Sequence, residues 1–136
     1  MKTLLIGYGN ALREDDGFGV FVARALKKTR RYECIEIFQL APELAEAIAR
    51  FKKVVFIDAN AEVPAGTFAV PLPRQSDVLA HSLTPWSLIE TSRKYYDAKM
   101  DYLIFSVGGG SFGYRENLTP PLKEAAAKLI AYLKTI

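Results

Sequence analysis

Short apolar runs alternate with amphipathic segments along most of this 136-residue chain. Residues 54–57 form a continuous apolar run of strand length, which indicates a strand that is buried on both faces. In residues 118–133 the apolar side chains recur at the three- and four-residue spacing of one helix face. The same reasoning predicts strands at residues 2–6, 33–40, 66–72 and 102–107, and helices at residues 18–28, 42–50 and 85–98, the last with Thr84 as its N-cap.

Strands that alternate with helices in this way are typical of a mostly parallel sheet. We therefore expect an α/β fold: a three-layer sandwich whose doubly wound sheet carries helices on both faces. Pro71 and Pro73 place the segment at residues 66–72 at an edge of that sheet. The length predicts a single domain that spans residues 1–136.

Composition and charge narrow the classes of function. Half of the residues are hydrophobic, which indicates a compact protein, and no apolar run reaches the roughly 18 residues of a membrane span. The N-terminal apolar stretch is too short for a signal peptide, so we expect no membrane partner. The single Cys34 excludes an intramolecular disulfide and indicates a reducing cytoplasm.

The net charge of +3 includes one dense basic cluster, Lys27, Lys28, Arg30 and Arg31, at the end of the first predicted helix. Cations at that position complement the negative end of the helix dipole. Because no aromatic–basic motif or zinc knuckle accompanies the cluster, we expect no nucleic-acid partner.

Three consecutive acids, Glu14, Asp15 and Asp16, stand where the first strand meets the first helix. A carboxylate at a helix start can cap the unpaired backbone N–H groups, but three exceed what one cap needs. Because adjacent like charges repel, the cluster indicates that a cation or a cationic substrate gathers them.

Two further polar residues join these acids on topological grounds. Asp58 ends the most hydrophobic strand, and His81, the only histidine, lies in a polar loop ahead of a helix. Ligands of such sheets bind beyond the carboxyl ends of the strands. Taken singly, Asp58 can be a loop cap and His81 an ordinary surface or core residue. Together with a carboxylate of the Glu14–Asp16 cluster they form an oxygen and nitrogen set that suits a divalent transition metal with open positions.

Other chemistries find little support in the sequence. Gly7 and Gly9 begin like a dinucleotide fingerprint, but the third glycine is missing and acids stand where pyrophosphate would lie, which disfavours a nucleotide-binding, flavodoxin-like module. No G-x-S-x-G elbow and no H-E-x-x-H helix is present. Cys34 lies inside an alternating strand, and we interpret it as structural.

Four groups of residues keep a fixed order along the chain. Residues 7–20 read GYGNALREDDGFGV, and residues 55–59 read VFIDA. Residues 81–85 read HSLTP, with Leu88 three residues on, and residues 107–120 read VGGGSFGYRENLTP. In this order the chain resembles the hydrogenase maturation endopeptidases over nearly its whole length. The first group is the most specific, since it matches their signature G-x-G-N-x-L-x-x-D-D/E-x-x-G-V.

The resemblance implies a function. It implies a metal-dependent endopeptidase of aspartic type that removes the C-terminal extension of a nickel-loaded [NiFe] hydrogenase large-subunit precursor. The nickel is supplied by the precursor and is recognised by the enzyme. By position, the catalytic and metal-binding residues would be Asp16, Asp58 and His81. Carboxylate and imidazole groups can complete the coordination of a Ni(II) ion whose thiolate ligands come from the substrate. The expected partner is that precursor, and the chain is expected to be a cytoplasmic monomer.

The chain departs from the family pattern at two places. In other branches the histidine aligns near Trp86, five residues after His81. Residues 114–117 follow the glycine-rich loop where the family more often keeps another glycine, and Arg115 there is either a solvated residue or a contact to the precursor. A non-catalytic, metal-dependent adaptor or chaperone for the precursor is the alternative hypothesis.

Overall fold

The computed structural model describes residues 2–69 and 83–136. The strands in this part of the chain are β1 (Thr3–Tyr8), β2 (Tyr32–Ile37), β3 (Lys53–Asn60) and β4 (Asp101–Gly108). They form one sheet in the order β2-β1-β3-β4, and each neighbouring pair is parallel. The helices are α1 (Phe18–Leu26), α2 (Leu44–Ala49), α3 (Pro85–Tyr96) and α4 (Pro120–Leu133), and a short 3-10 helix (Glu14–Gly17) connects β1 to α1.

The helices cover both faces of the sheet, as expected for a doubly wound fold. One buried cluster joins α1 and α4 to side chains of β1 and β3 that include Leu5 and Ile57. A second cluster joins α2 and α3 to the alternate side chains of the same strands, among them Ile6 and Phe56. Successive strand residues point to opposite faces, so these central strands are apolar throughout. The three-layer α/β fold predicted from the sequence is confirmed.

A short antiparallel stretch borders the outer edge of β4. Phe68 pairs with Val107, and the backbone N–H of Ala69 donates to the carbonyl of Ser106 at 2.8 Å. Residues 66–69 thus border the edge of the sheet as predicted, but they form an isolated bridge at Phe68 and not the strand that the sequence predicted. Residues 70–72 lie outside the described part of the chain.

The helix start predicted at Thr84 is confirmed. The hydroxyl of Thr84 accepts the backbone N–H of Ser87 at 3.1 Å, and the hydroxyl of Ser87 accepts the N–H of Thr84 at 2.9 Å. This reciprocal pair is a capping box. In the part of the chain that the structure describes, no helix is long and apolar enough to cross a membrane.

Helix α1 begins in direct contact with the two central strands. A side chain at Gly19 would overlap the carbonyl oxygen of Ile57, and one at Gly7 would overlap the carbonyl of Gly19. Only glycine permits so close an approach of helix and strand backbones. As a result, the acidic 3-10 helix lies directly at the carboxyl ends of β1 and β3.

Candidate functional site

Asp58 lies near the carboxyl end of β3, between hydroxyl groups of both neighbouring strands. Ser106 is its register partner on β4, and Tyr8 ends β1 one residue beyond the Gly7–Ile57 pair. Both hydroxyls are close enough to the carboxyl group of Asp58 for hydrogen bonding to affect its pKa. This half-buried carboxylate thus lies between two O–H groups that can donate to it.

The surroundings of Asp58 change its acidity. The pKa of Asp58 is raised from 3.8 to about 6, mainly by burial and to a smaller extent by the negative charge of Asp16. The hydrogen bonds from Ser106 and Tyr8 act in the opposite direction, since they stabilise the ionised form. Near pH 7 this carboxylate is mostly ionised, although burial makes its ionised form less stable than it would be in water. A nearby cation would stabilise that ionised form.

Tyr8 stays protonated at this position. Burial raises the pKa of the Tyr8 phenol far above its ordinary value, and the charge of Asp58 raises it further. The phenol therefore acts only as a neutral donor to the carboxylate.

The turn between β1 and the 3-10 helix binds the carboxylate of Asp16. The Oδ2 atom of Asp16 accepts the backbone N–H of Asn10 at 2.7 Å. Gly9 has a φ of 137°, and a side chain there would overlap the carbonyl oxygen of Asp16. The carboxylate is close enough to Asp58 for its charge to raise the pKa of Asp58. The structure thus brings Asp16 and Asp58, predicted on topological grounds to share an edge, to the carboxyl edge of the sheet.

Asp15 has a different environment from its neighbour. It is fully buried, and its Oδ2 accepts the N–H groups of Gly110 and Ser111 at 2.7 and 3.1 Å. The N–H and the hydroxyl of Thr119 donate to its two oxygens, each at 2.7 Å. Asp15 therefore joins the glycine-rich loop to the start of α4.

Glu14 also binds the closing loop, since its Oε1 accepts the hydroxyl of Ser111 at 3.0 Å. These contacts correct the interpretation of the acidic triplet: donors of residues 110–119, and not a shared cation, account for Glu14 and Asp15. Over residues 2–69 and 83–136, no group of three or more His, Cys, Asp or Glu side chains could hold a metal ion.

His81 lies outside the described residues, so its place relative to the two aspartates is not part of the structure. Its assignment as the third ligand stays a prediction. Trp86, where other branches align their histidine, is half-buried in the first turn of α3. An indole ring has no lone pair to offer a metal, so Trp86 is no substitute ligand.

Sequence reasoning missed three residues beside Asp58: Tyr8, Ser106 and Asn60. The side-chain amide of Asn60 donates to the hydroxyl of Ser106 at 2.8 Å. One available signal was the isolated hydroxyl of Ser106 in an otherwise apolar strand. A second was the two-residue spacing of Asp58 and Asn60, which places both side chains on one face of β3.

No protein-family model matches this sequence, and no curated protein is similar to it in sequence. Solved structures are similar in fold. The [NiFe] hydrogenase maturation protease HycI from Thermococcus kodakarensis KOD1 has a TM-score of 0.75 and 29% identity, over 97% of this chain and 89% of that chain. The hydrogenase maturating endopeptidase HybD from E. coli has a TM-score of 0.72 and 20% identity, over 99% and 93%. The endopeptidase HycI from Escherichia coli has a TM-score of 0.75 and 19% identity, over 99% and 90%. The predicted resemblance to the hydrogenase maturation endopeptidases is confirmed over nearly the whole chain.

Proposed function

We propose that this chain is an endopeptidase that removes the C-terminal extension of a nickel-loaded [NiFe] hydrogenase large-subunit precursor. The observation that carries the proposal is the Asp16–Asp58 pair at the carboxyl edge of a sheet whose fold matches a [NiFe] hydrogenase maturation protease over 97% of this chain. The substrate is then a folded protein, and the cleaved bond lies in the peptide that follows its metal site.

The carboxylate pair suits recognition of a metal that the substrate carries. Each carboxylate already accepts protein hydrogen bonds, Asp16 from Asn10 and Asp58 from Tyr8 and Ser106, an arrangement typical of metal-ligating carboxylates. Their mutual repulsion would be relieved by a cation between them. With two protein carboxylates alone the binding of free divalent metal is expected to be weak, since the precursor supplies the remaining ligands.

His81 is the third member of the proposed site. A neutral imidazole is a ligand that Ni(II) accepts readily, and this is the one histidine of the chain. The nickel of the precursor would supply Lewis-acid chemistry, by polarising the scissile carbonyl or by holding a water molecule. Asp16, Asp58 and His81 would orient that ion toward the cleaved bond. Cleavage would then depend on nickel loading, because an empty precursor offers nothing to bind.

We propose that the chain acts in the cytoplasm as a monomer. The free, partly buried thiol of Cys34 supports a reducing compartment.

The test is a processing assay with purified components. Precursor with and without nickel is incubated with the chain, and release of the C-terminal peptide is followed by mass spectrometry. We expect release from the nickel-loaded form alone, and loss of at least about a hundredfold in rate for Asp16→Asn and Asp58→Asn.

Glu14→Gln is the matched control, since it removes a neighbouring charge but keeps an oxygen that can accept from Ser111. This variant is expected to process at close to the wild-type rate. Wild-type rates for both aspartate variants would overturn the assignment of these residues. Binding of the nickel-loaded precursor without release of any peptide would favour the adaptor hypothesis instead.

A further inference from the structure

The hydrogen bonds around Asp58 all run in one direction. The amide of Asn60 donates to the hydroxyl oxygen of Ser106 at 2.8 Å. A serine hydroxyl carries one hydrogen, and with its oxygen accepting from Asn60 that hydrogen is free to point to Asp58. Ser106 can therefore give its one hydrogen to the carboxylate of its register partner Asp58.

Asn60 is fixed by the loop that follows β3. Its side-chain oxygen accepts the backbone N–H groups of Glu62 and Val63 at 2.9 and 3.3 Å. Its own carbonyl accepts the N–H of Gly109 at 2.8 Å. Because the amide oxygen faces two donors, the amide nitrogen must face Ser106. The polarity of the whole chain of hydrogen bonds is thus set by backbone groups.

Tyr8 supplies the second donor from the opposite strand. Its ring packs against the buried cluster beneath α2 and α3, and its hydroxyl reaches Asp58. The residues on both sides of Tyr8 are the glycines that hold α1 and Asp16 in place. Tyr8 therefore ties the orientation of Asp58 to the turn that carries Asp16.

We propose that Tyr8, Ser106 and Asn60 are positioning residues, which hold the carboxylate of Asp58 in one orientation and present its remaining lone pairs on the side of Asp16. The inference deepens the proposed function and rests on it. None of the three residues needs to touch the precursor. Their effect is to keep Asp58 aligned with the metal of the substrate throughout the reaction.

The test distinguishes a loss of Asp58 alignment from weaker binding of the precursor and from a failure of the variant to fold. Tyr8→Phe and Ser106→Ala each remove one hydroxyl, and we expect each to lower kcat for the nickel-loaded precursor by about 10- to 100-fold, the usual effect of losing such a supporting hydrogen bond. KM should change by less than about threefold, because the docking surface is intact. Ser106→Thr keeps the hydroxyl and is expected to restore most of the lost kcat.

Tyr32→Phe is the matched control. It removes a buried tyrosine hydroxyl that donates to the carbonyl of Leu133, far from Asp58 at the other end of the sheet. This variant should lose stability but keep its kcat. Thermal unfolding of every variant shows whether it is folded at the assay temperature.

Wild-type kcat for Tyr8→Phe and Ser106→Ala, beside an inactive Asp58→Asn, would overturn the positioning role and leave the proposed function standing. An equal loss in Ser106→Ala and Ser106→Thr would also overturn it, since packing and not the hydroxyl would then be responsible. Full activity of Asp58→Asn would overturn the proposed site and the positioning role with it.

Discussion

Two adjacent acids of one motif have different tasks in this protein. Asp15 is buried among donors of the glycine-rich loop and of Thr119, whereas Asp16 accepts the N–H of Asn10 and lies close enough to Asp58 to raise its pKa. The sequence predicted the acidic cluster but not this division. The donors that bind Asp15 are 95 to 104 residues away along the chain, and no local pattern encodes such contacts.

Substitutions of Asp15 and Asp16 should therefore differ in their effects, since the first should reduce stability and the second should abolish processing. Asp15→Ala would leave three backbone N–H groups without a partner, and we expect it to lower the free energy of unfolding by about 3–5 kcal/mol. Asp16→Asn should change that free energy by less than about 1 kcal/mol while it abolishes processing. Urea denaturation measures both. An Asp15→Ala protein as stable as wild type would contradict the structural role of Asp15.

The raised pKa of Asp58 has a consequence for stability. Its pKa is about 6 in the folded protein against 3.8 ordinarily, so the folded state binds this proton more tightly than the unfolded state. The contribution of the Asp58 proton to the stability of the folded state is complete below about pH 4, and it is lost as the pH rises through about 6.

Asp58→Asn carries no titrating group and escapes this loss. From about pH 4 to pH 7 the free energy of unfolding of Asp58→Asn should therefore rise relative to that of wild type by about 1–3 kcal/mol. Asp101→Asn, at the exposed start of β4, is the control and should show a much smaller change. Urea denaturation at the two pH values measures this change. A fall in the unfolding free energy of Asp58→Asn relative to wild type would refute the burial of an ionised Asp58.

At the scale of helices and strands, the buried elements were predictable and the connections were not. β3 has the continuous apolar run of a strand buried on both faces and α4 has the periodicity of one buried helix face, so both were predicted within a few residues. β2 ends at Ile37, earlier than its alternating pattern suggested, because its pairing with β1 stops at Tyr8. The 3-10 helix of residues 14–17 carries no periodic signal, since its acids are held by distant donors.

The contact between α1 and the central strands gives a prediction at this scale. Gly19→Ala forces a methyl group into the carbonyl of Ile57, so it should lower the free energy of unfolding by more than about 2 kcal/mol. Gly113→Ala is the control, because the atom it would meet is the movable carboxylate end of Glu14. Equal losses in the two variants would show that the helix can shift away from the sheet.

For the molecule as a whole, many exposed lysines and arginines lie at the end of the sheet opposite the candidate site. The acids of the candidate site lie at the carboxyl edge. Exposed cations gather where the strands begin and the helices end: Lys2, Lys27, Lys28, Arg30, Arg31, Lys52, Lys99 and Lys134. The basic cluster noted in the sequence is one part of this larger face.

The topology explains why a site spread over distant segments could be anticipated at all. Carboxyl ends of parallel strands meet at one edge, and that rule brings Asp16 and Asp58 together without any knowledge of side-chain contacts. It does not identify Tyr8, Ser106 or Asn60, whose importance depends on register and on hydrogen-bond polarity. Those features exist only once the strands are paired.

The most direct test of the account is anomalous diffraction from crystals soaked with Cd²⁺ or Ni²⁺. We expect a peak within ligand distance of carboxylate oxygens of both Asp16 and Asp58, with the imidazole of His81 as a third ligand. The peak should vanish in Asp58→Asn crystals treated in the same way. A peak that avoids both aspartates, or an imidazole held far from them in the metal-bound crystal, would contradict it.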